Sequence, residues 1–158
     1  MDPDSETRLA GFIARYTPDL ARQLLVARQA MRRIVPRGFE LVYDNYNALA
    51  IGYGHGPRAS DALLSIAGYP RWVSLFFLQG ATLPDPQGLL RGSGRRVRHV
   101  VLHSAQELEL PALHSLVDAA LAPCSSRFAV AAPLQTLIKS VSARQRPRRP
   151  AATLAGTG

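Results

Sequence analysis

At Pro36-Arg37-Gly38 the spacing of apolar residues changes from steps of three and four to steps of two. Before this point Leu20, Leu24, Ala27, Met31 and Ile34 place one apolar stripe on a helix. Thr17-Pro18-Asp19 opens that helix with an N-cap candidate, a proline at the first helical position and an early acid; Pro36 and Gly38 close it. After it, Phe39, Leu41 and Tyr43 alternate with Glu40, Val42 and Asp44, the Asp44-Asn45-Tyr46-Asn47 stretch turns, and Ala48 to Tyr53 reads as the returning strand. Two further strands are predicted around Ala62 to Gly68 and Trp72 to Leu78, joined by Tyr69-Pro70-Arg71, and another at Val97 to Leu102. Strands this close, with no room for a crossover helix, must pair mainly antiparallel.

Helical signals flank this region. Leu9, Phe12, Ile13 and Tyr16 recur at helical spacing after Ser5 and Glu6. Ser104-Ala105-Gln106-Glu107 matches a capping box, and Pro111 opens a helix carrying Leu113, Leu116, Val117, Ala120 and Leu121 that Pro123 closes. Leu134 to Val141 fits a last strand or a short helix, and we read it as a strand. The expected fold is therefore α+β: an antiparallel, meander-like sheet of about five strands packed against N-terminal and C-terminal helices. One domain is expected over residues 1–143. The remainder, 144–158, is basic and proline-rich and is expected to be a disordered tail.

Composition narrows the function classes. At 158 residues the chain can bury one core. Its longest apolar run, Trp72 to Leu78, is far short of the roughly 20 residues of a membrane span. The acidic N-terminus lacks the basic and apolar regions of a secretion signal, so a cytoplasmic location is expected. The single cysteine, Cys124, cannot form an internal disulfide and cannot alone make a structural zinc site. The net charge of +8 invites a nucleic-acid partner, yet Lys139 is the one lysine among 19 basic residues. In an alanine-rich chain this points to arginine replacing lysine on ordinary surfaces, and charge alone then argues weakly for any partner.

Two segments concentrate chemistry. Asp44, Asn45, Tyr46 and Asn47 gather hydrogen-bonding groups beside aromatic rings, either as the polar rim of a ligand pocket or as an ordinary tight turn; Trp72 lines such a pocket or anchors the core. Gly92, Ser93, Gly94 and Arg95, followed by Arg98 and His99, form either an anion-binding nest of backbone amides or a plain glycine turn with solvated arginines. A strand follows this segment, where a phosphate loop would lead into a helix, and the lysine of a Walker motif is absent. His99 and His103 do not make a metal pair, because four residues along a strand span roughly 13 Å. His55 and His114 have no ligand-spaced partner. No catalytic constellation, metal set or cofactor motif is complete.

Several of these motifs recur in one order. Val42 to Leu49 (VYDNYNAL), Gly80 to Gly94 with Leu-Pro-Asp-Pro, Val97-Arg98-His99, and Lys139 to Pro150 (KSVSARQRPRRP) together resemble the YdhG-like bacterial family, a domain of unknown function. The resemblance runs from about Leu25 to Pro150. It implies a small cytoplasmic α+β domain, broadly similar to frataxin, with no assigned activity in most members and an iron chaperone on a distant branch. Frataxin-type iron binding uses an exposed acidic surface, whereas this chain has 11 acids and arginine-rich first helices. The expected function is a non-enzymatic module binding a small, anionic ligand on one concave surface made by the Asp44–Asn47 turn and the Gly92–His99 segment. Iron handling is the alternative, and weak nucleic-acid binding through the basic tail a second one.

Overall fold

A computed structural model describes residues 3–151. Helix α1 spans Pro3–Ala14 and α2 spans Pro18–Ile34. Strands β1 (Phe39–Asp44), β2 (Leu49–Gly54), β3 (Ala62–Gly68), β4 (Val73–Phe77) and β5 (Arg98–Leu102) follow. Then come a 3-10 turn over Ala105–Glu109, α3 (Pro111–Leu121), the short α4 (Ser125–Ala129) and β6 (Gln135–Val141). They form one six-stranded sheet in the order β5-β4-β3-β2-β1-β6.

The α+β class holds, but two features of the expected sheet need correction. There are six strands, and β6 pairs parallel to β1, so the sheet is not a simple meander. The chain between β1 and β6 contains the rest of the sheet and α3, ample length for the long connection that parallel pairing needs. β1 becomes an interior strand by this pairing, and β5 and β6 become the edges. The β5 edge is partly capped: Arg91 and His99 exchange backbone hydrogen bonds of 2.8 and 2.9 Å.

The strand register explains the core. Ile138, Val42, Ile51, Ile66, Leu75 and Val100 occupy one cross-strand row, apolar at every position. This face packs on Leu9 and Ile13 of α1, Leu20, Leu24, Ala27 and Met31 of α2, and Leu113, Leu116 and Val117 of α3. Thr17 caps α2 by accepting from the Leu20 amide at 3.4 Å. Ser104 makes no side-chain cap; the Glu107 carboxylate instead accepts from the His103 amide at 3.0 Å, holding a 3-10 turn in place of the expected capping box. Tyr16 lies under the sheet end, donating from its hydroxyl to Gly68 O and accepting from the Leu49 amide.

Alternation also turns charged residues of β1 toward the helices. Glu40 is fully buried and receives Arg28 at 2.9 Å, Arg32, the Tyr53 hydroxyl at 2.8 Å and the Thr136 hydroxyl at 2.8 Å. Arg28 also reaches Glu6 at 2.6 Å, so this polar cluster ties α1, α2, β1, β2 and β6 together. Burial pushes the Glu40 carboxyl up, and the hydrogen bonds and charge of Arg28, with Thr136 and Tyr53, outweigh it and hold the group below its usual range.

Gly38 marks the switch from helix to strand with a φ of +102°, and a Cβ there would stand 2.3 Å from Gly54 O. Gly38→Ala is expected to destabilise the protein by more than about 1 kcal/mol, from strain at positive φ plus the collision, measured by urea unfolding.

Candidate functional site

The antiparallel order brings two turns to the same end of the sheet, because Leu49 at the start of β2 pairs with Gly68 at the end of β3. One is the β1–β2 turn, closed by the Asn45 amide donating to Ala48 O at 3.0 Å. The other is the β3–β4 turn, where the Tyr69 amide donates to Trp72 O at 2.8 Å and the two rings stack with centroids 5.0 Å apart. Tyr46 and Trp72 are 47% and 42% exposed. Both rings are left open to solvent at this end of the sheet.

A third segment completes this end, and here the tail expectation is corrected. Residues 144–151 form a strap laid across the β1–β2 turn. The Ser142 amide donates to Asp44 O at 2.9 Å and the Arg146 amide to Tyr46 O at 2.8 Å. Gln145 Nε2 donates to both Asp44 O and Asp44 Oδ2 at 2.9 Å. Arg148 Nη2 meets Asp44 Oδ1 at 2.9 Å, with both side chains only 1% exposed, and also donates to Asn45 O. Arg149 Nε donates to Arg15 O at 3.1 Å, and Arg15 reaches Asp44 Oδ2 at 3.4 Å from the solvent side. Basic, proline-rich composition ordinarily means solvation; here a buried aspartate supplies the counter-charge that draws the segment in. Residues 152–158 of the expected tail lie outside the described residues.

The strap carries arginines onto the aromatic surface. The Arg146 guanidinium sits 5.6 Å from the centre of the Tyr46 ring. Asn47, Tyr69, Arg71, Trp72, Arg146 and Arg149 line a groove of about 600 Å³, with Pro70, Pro147, Pro150 and Ala151. A second cavity of about 500 Å³ adjoins it, with Asn47 and Tyr69 in both walls. Its floor is the sheet face turned away from the helices, where Ala50 pairs with Ala67 and Gly52 with Ser65. Small side chains on the central strands leave the hollow; Tyr46, Tyr69 and Phe76 wall it. Both volumes fall within the roughly 300–1,000 Å³ of small-molecule sites. Among the described residues, no ion pair to a carboxylate engages Arg71, Arg146 or Arg149.

The residues singled out from the sequence divide accordingly. Asn45, Tyr46, Asn47 and Trp72 meet at this surface, whereas Asp44 lies beneath it and holds Arg148. The Gly92–Arg98 segment does not join them. Arg98 pairs with Phe77 at the opposite end of the sheet, on the far edge strand, so the two segments do not make one concave surface. Arg98 Nη1 donates to the carbonyls of Gly94 and Val97, and Gly92, Ser93, Gly94 and Arg95 are exposed around it. His99 lies against Phe76, ring centroids 5.5 Å apart, behind the wall of the second cavity.

Tyr69 and Arg71 stand in the sequence only as the link between two strands, and Arg146 and Arg149 only as part of a basic tail whose alternative partner is nucleic acid. Tyr69 and Arg71 were legible in principle, since consecutive antiparallel hairpins put alternate turns at the same end. The strap arginines required knowing where Asp44 points. Elsewhere, a cavity of about 310 Å³ between α2 and the α3–α4 corner is lined mainly by Ile34, Leu121 and Phe128, with Arg37 and Asp118 at its walls. Among the described residues no group of three or more His, Cys, Asp or Glu is placed to hold a metal ion, and no helix is long and apolar enough to cross a membrane. No family model, curated protein or solved structure matches the chain.

Proposed function

We propose that the chain is a YdhG-like, non-enzymatic binding module that takes a small anionic ligand in the groove between the Tyr69–Trp72 turn and the 144–151 strap. The observation that carries this reading is the convergence of Arg71, Arg146 and Arg149, none paired with a carboxylate among the described residues, around an exposed Trp72. Arg149 Nε donates to Arg15 O and Arg146 lies over the Tyr46 ring, but no carboxylate neutralises these charges among the described residues, and their mutual repulsion is relieved when an anion arrives. Guanidinium groups suit carboxylates and phosphates, which they bind with two parallel hydrogen bonds. The ordered motifs shared with the YdhG-like pattern support the family part of the proposal, and their Arg-Gln-Arg-Pro-Arg-Arg-Pro run is the strap itself.

Isothermal titration with inorganic pyrophosphate tests this at low ionic strength. Saturable binding is expected, weakened at least tenfold in an Arg71→Gln, Arg146→Gln, Arg149→Gln triple variant and unchanged in Arg95→Gln, Arg98→Gln. Equal binding by the triple variant, or loss confined to the Arg95 and Arg98 changes, would contradict the site.

A further inference from the structure

We infer that the ligand of this surface is a free nucleoside phosphate, its base in the neutral cavity and its phosphate among the strap arginines; this rests on the anion-binding reading above. The two compartments differ in chemistry. The cavity over Ala50, Ser65 and Ala67 carries aromatic faces and carboxamides but no charged side chain in its wall. The adjoining groove carries Arg71, Arg146 and Arg149. Asn47 and Tyr69 stand in both walls, so one molecule can occupy the two together.

Each compartment limits the ligand. An inorganic anion satisfies the arginines and leaves the aromatic cavity unused. A neutral apolar molecule fills the cavity and leaves the cations unpaired. A molecule with a flat, hydrogen-bonding end and a phosphate end uses both. Asn45 and Asn47 can each donate and accept, matching the mixed donor and acceptor edge of a nucleobase. Tyr46, Tyr69 and Phe76 offer ring faces for stacking, an interaction that tolerates any base. Two compartments side by side, bounded by the strap, suit one base and one phosphate group rather than a run of them.

Trp72 is the only tryptophan of the chain and stacks on Tyr69, so its fluorescence reports occupancy directly. The intact chain is titrated with AMP, GMP, CMP and UMP, with adenosine, with inorganic phosphate and pyrophosphate, and with a short oligodeoxynucleotide lacking terminal phosphates. At least one mononucleotide is expected to bind tenfold or more tightly than both adenosine and inorganic phosphate, and to change Trp72 emission. Tyr46→Leu removes a wall of the cavity and also the ring beneath Arg146, so it is expected to weaken that nucleotide roughly tenfold more than it weakens pyrophosphate; equal weakening of the two would contradict a base seated against Tyr46. Arg146→Gln, Arg149→Gln is expected to weaken both. Tyr46, Arg146 and Arg149 are exposed, so these variants keep the fold, and far-UV circular dichroism verifies it.

Mononucleotides no tighter than inorganic phosphate would overturn the nucleotide assignment while pyrophosphate binding leaves the anion site standing. Absence of binding by pyrophosphate and every nucleotide would remove both. Oligonucleotide binding tenfold tighter than any mononucleotide would overturn the free ligand in favour of a strand.

Discussion

Arg148→Ala is expected to lower the free energy of unfolding by about 3–5 kcal/mol, the usual cost of removing one partner of a buried ion pair. Arg148 and Asp44 are each 1% exposed and 2.9 Å apart. With Arg148 gone, Asp44 keeps Arg15, itself 46% exposed, and the Gln145 amide, neither of which fills the vacated space. Truncation after Ala143 removes Arg148 and Gln145 together and is expected to cost at least as much. The pair need not be a net asset over an apolar substitute: the double change Asp44→Leu, Arg148→Met is expected to be far milder than Arg148→Ala. Guanidinium unfolding at neutral pH measures all three. A loss under about 1 kcal/mol for Arg148→Ala would show that the strap does not anchor there.

Glu40→Gln is the second large effect, again about 3–5 kcal/mol, because Arg28 and Arg32 would keep their charges in a largely buried site with no buried carboxylate between them. It carries a pH signature. Glu40 titrates below its ordinary value of 4.5 in the folded protein, despite burial, because Arg28 hydrogen-bonds and pairs with the carboxylate. A carboxyl depressed in the folded state stabilises fully above its unfolded pKa, and that contribution is lost as pH falls through the folded pKa. Glu6 is lowered too, chiefly by its hydrogen bond from Arg28, and adds in the same direction. Wild-type stability is therefore expected to fall with acid below about pH 4.5, and the slope is expected to flatten in Glu40→Gln. A slope identical in the two proteins would place the acid sensitivity elsewhere.

These two carboxylates also show where sequence reasoning runs out. The helix stripe of Leu20, Leu24, Ala27 and Met31 and the strand alternation from Phe39 onward are local patterns, and both appear in the structure. Partner choice is not local. Nothing in Gln135–Val141 says that it adds to β1 in parallel, and that pairing is what makes β1 an interior strand. Once β1 is interior, Glu40 and Asp44 share the inward face with Val42, and an inward acid requires a cation from somewhere in the chain. Glu40 finds its arginines on α2, and Asp44 finds Arg148 at the far end of the sequence. Composition alone reads Arg144 to Pro150 as solvated, since it weighs arginine and proline without the acid they meet.

The same geometry decides the candidate site. Asn45, Tyr46, Asn47 and Trp72 were visible as turn residues, and hairpin topology unites them. The Gly92–Arg98 segment, equally conspicuous in sequence, lies at the other end of the sheet because β5 runs antiparallel to β4 with Arg98 opposite Phe77. Its substitution for the strap as the source of cations was a matter of distance that one-dimensional spacing does not encode.

Fold and site both depend on the strap being a built part of the domain. Hydrogen exchange at the Arg146 amide, which donates to Tyr46 O at 2.8 Å, reads that directly. The amide is expected to exchange at least a hundredfold more slowly than an unstructured peptide, and to lose that protection in Arg148→Ala. Exchange at the unstructured rate in the intact protein would contradict it, returning residues 144–151 to a solvated tail and leaving the groove without Arg146 and Arg149.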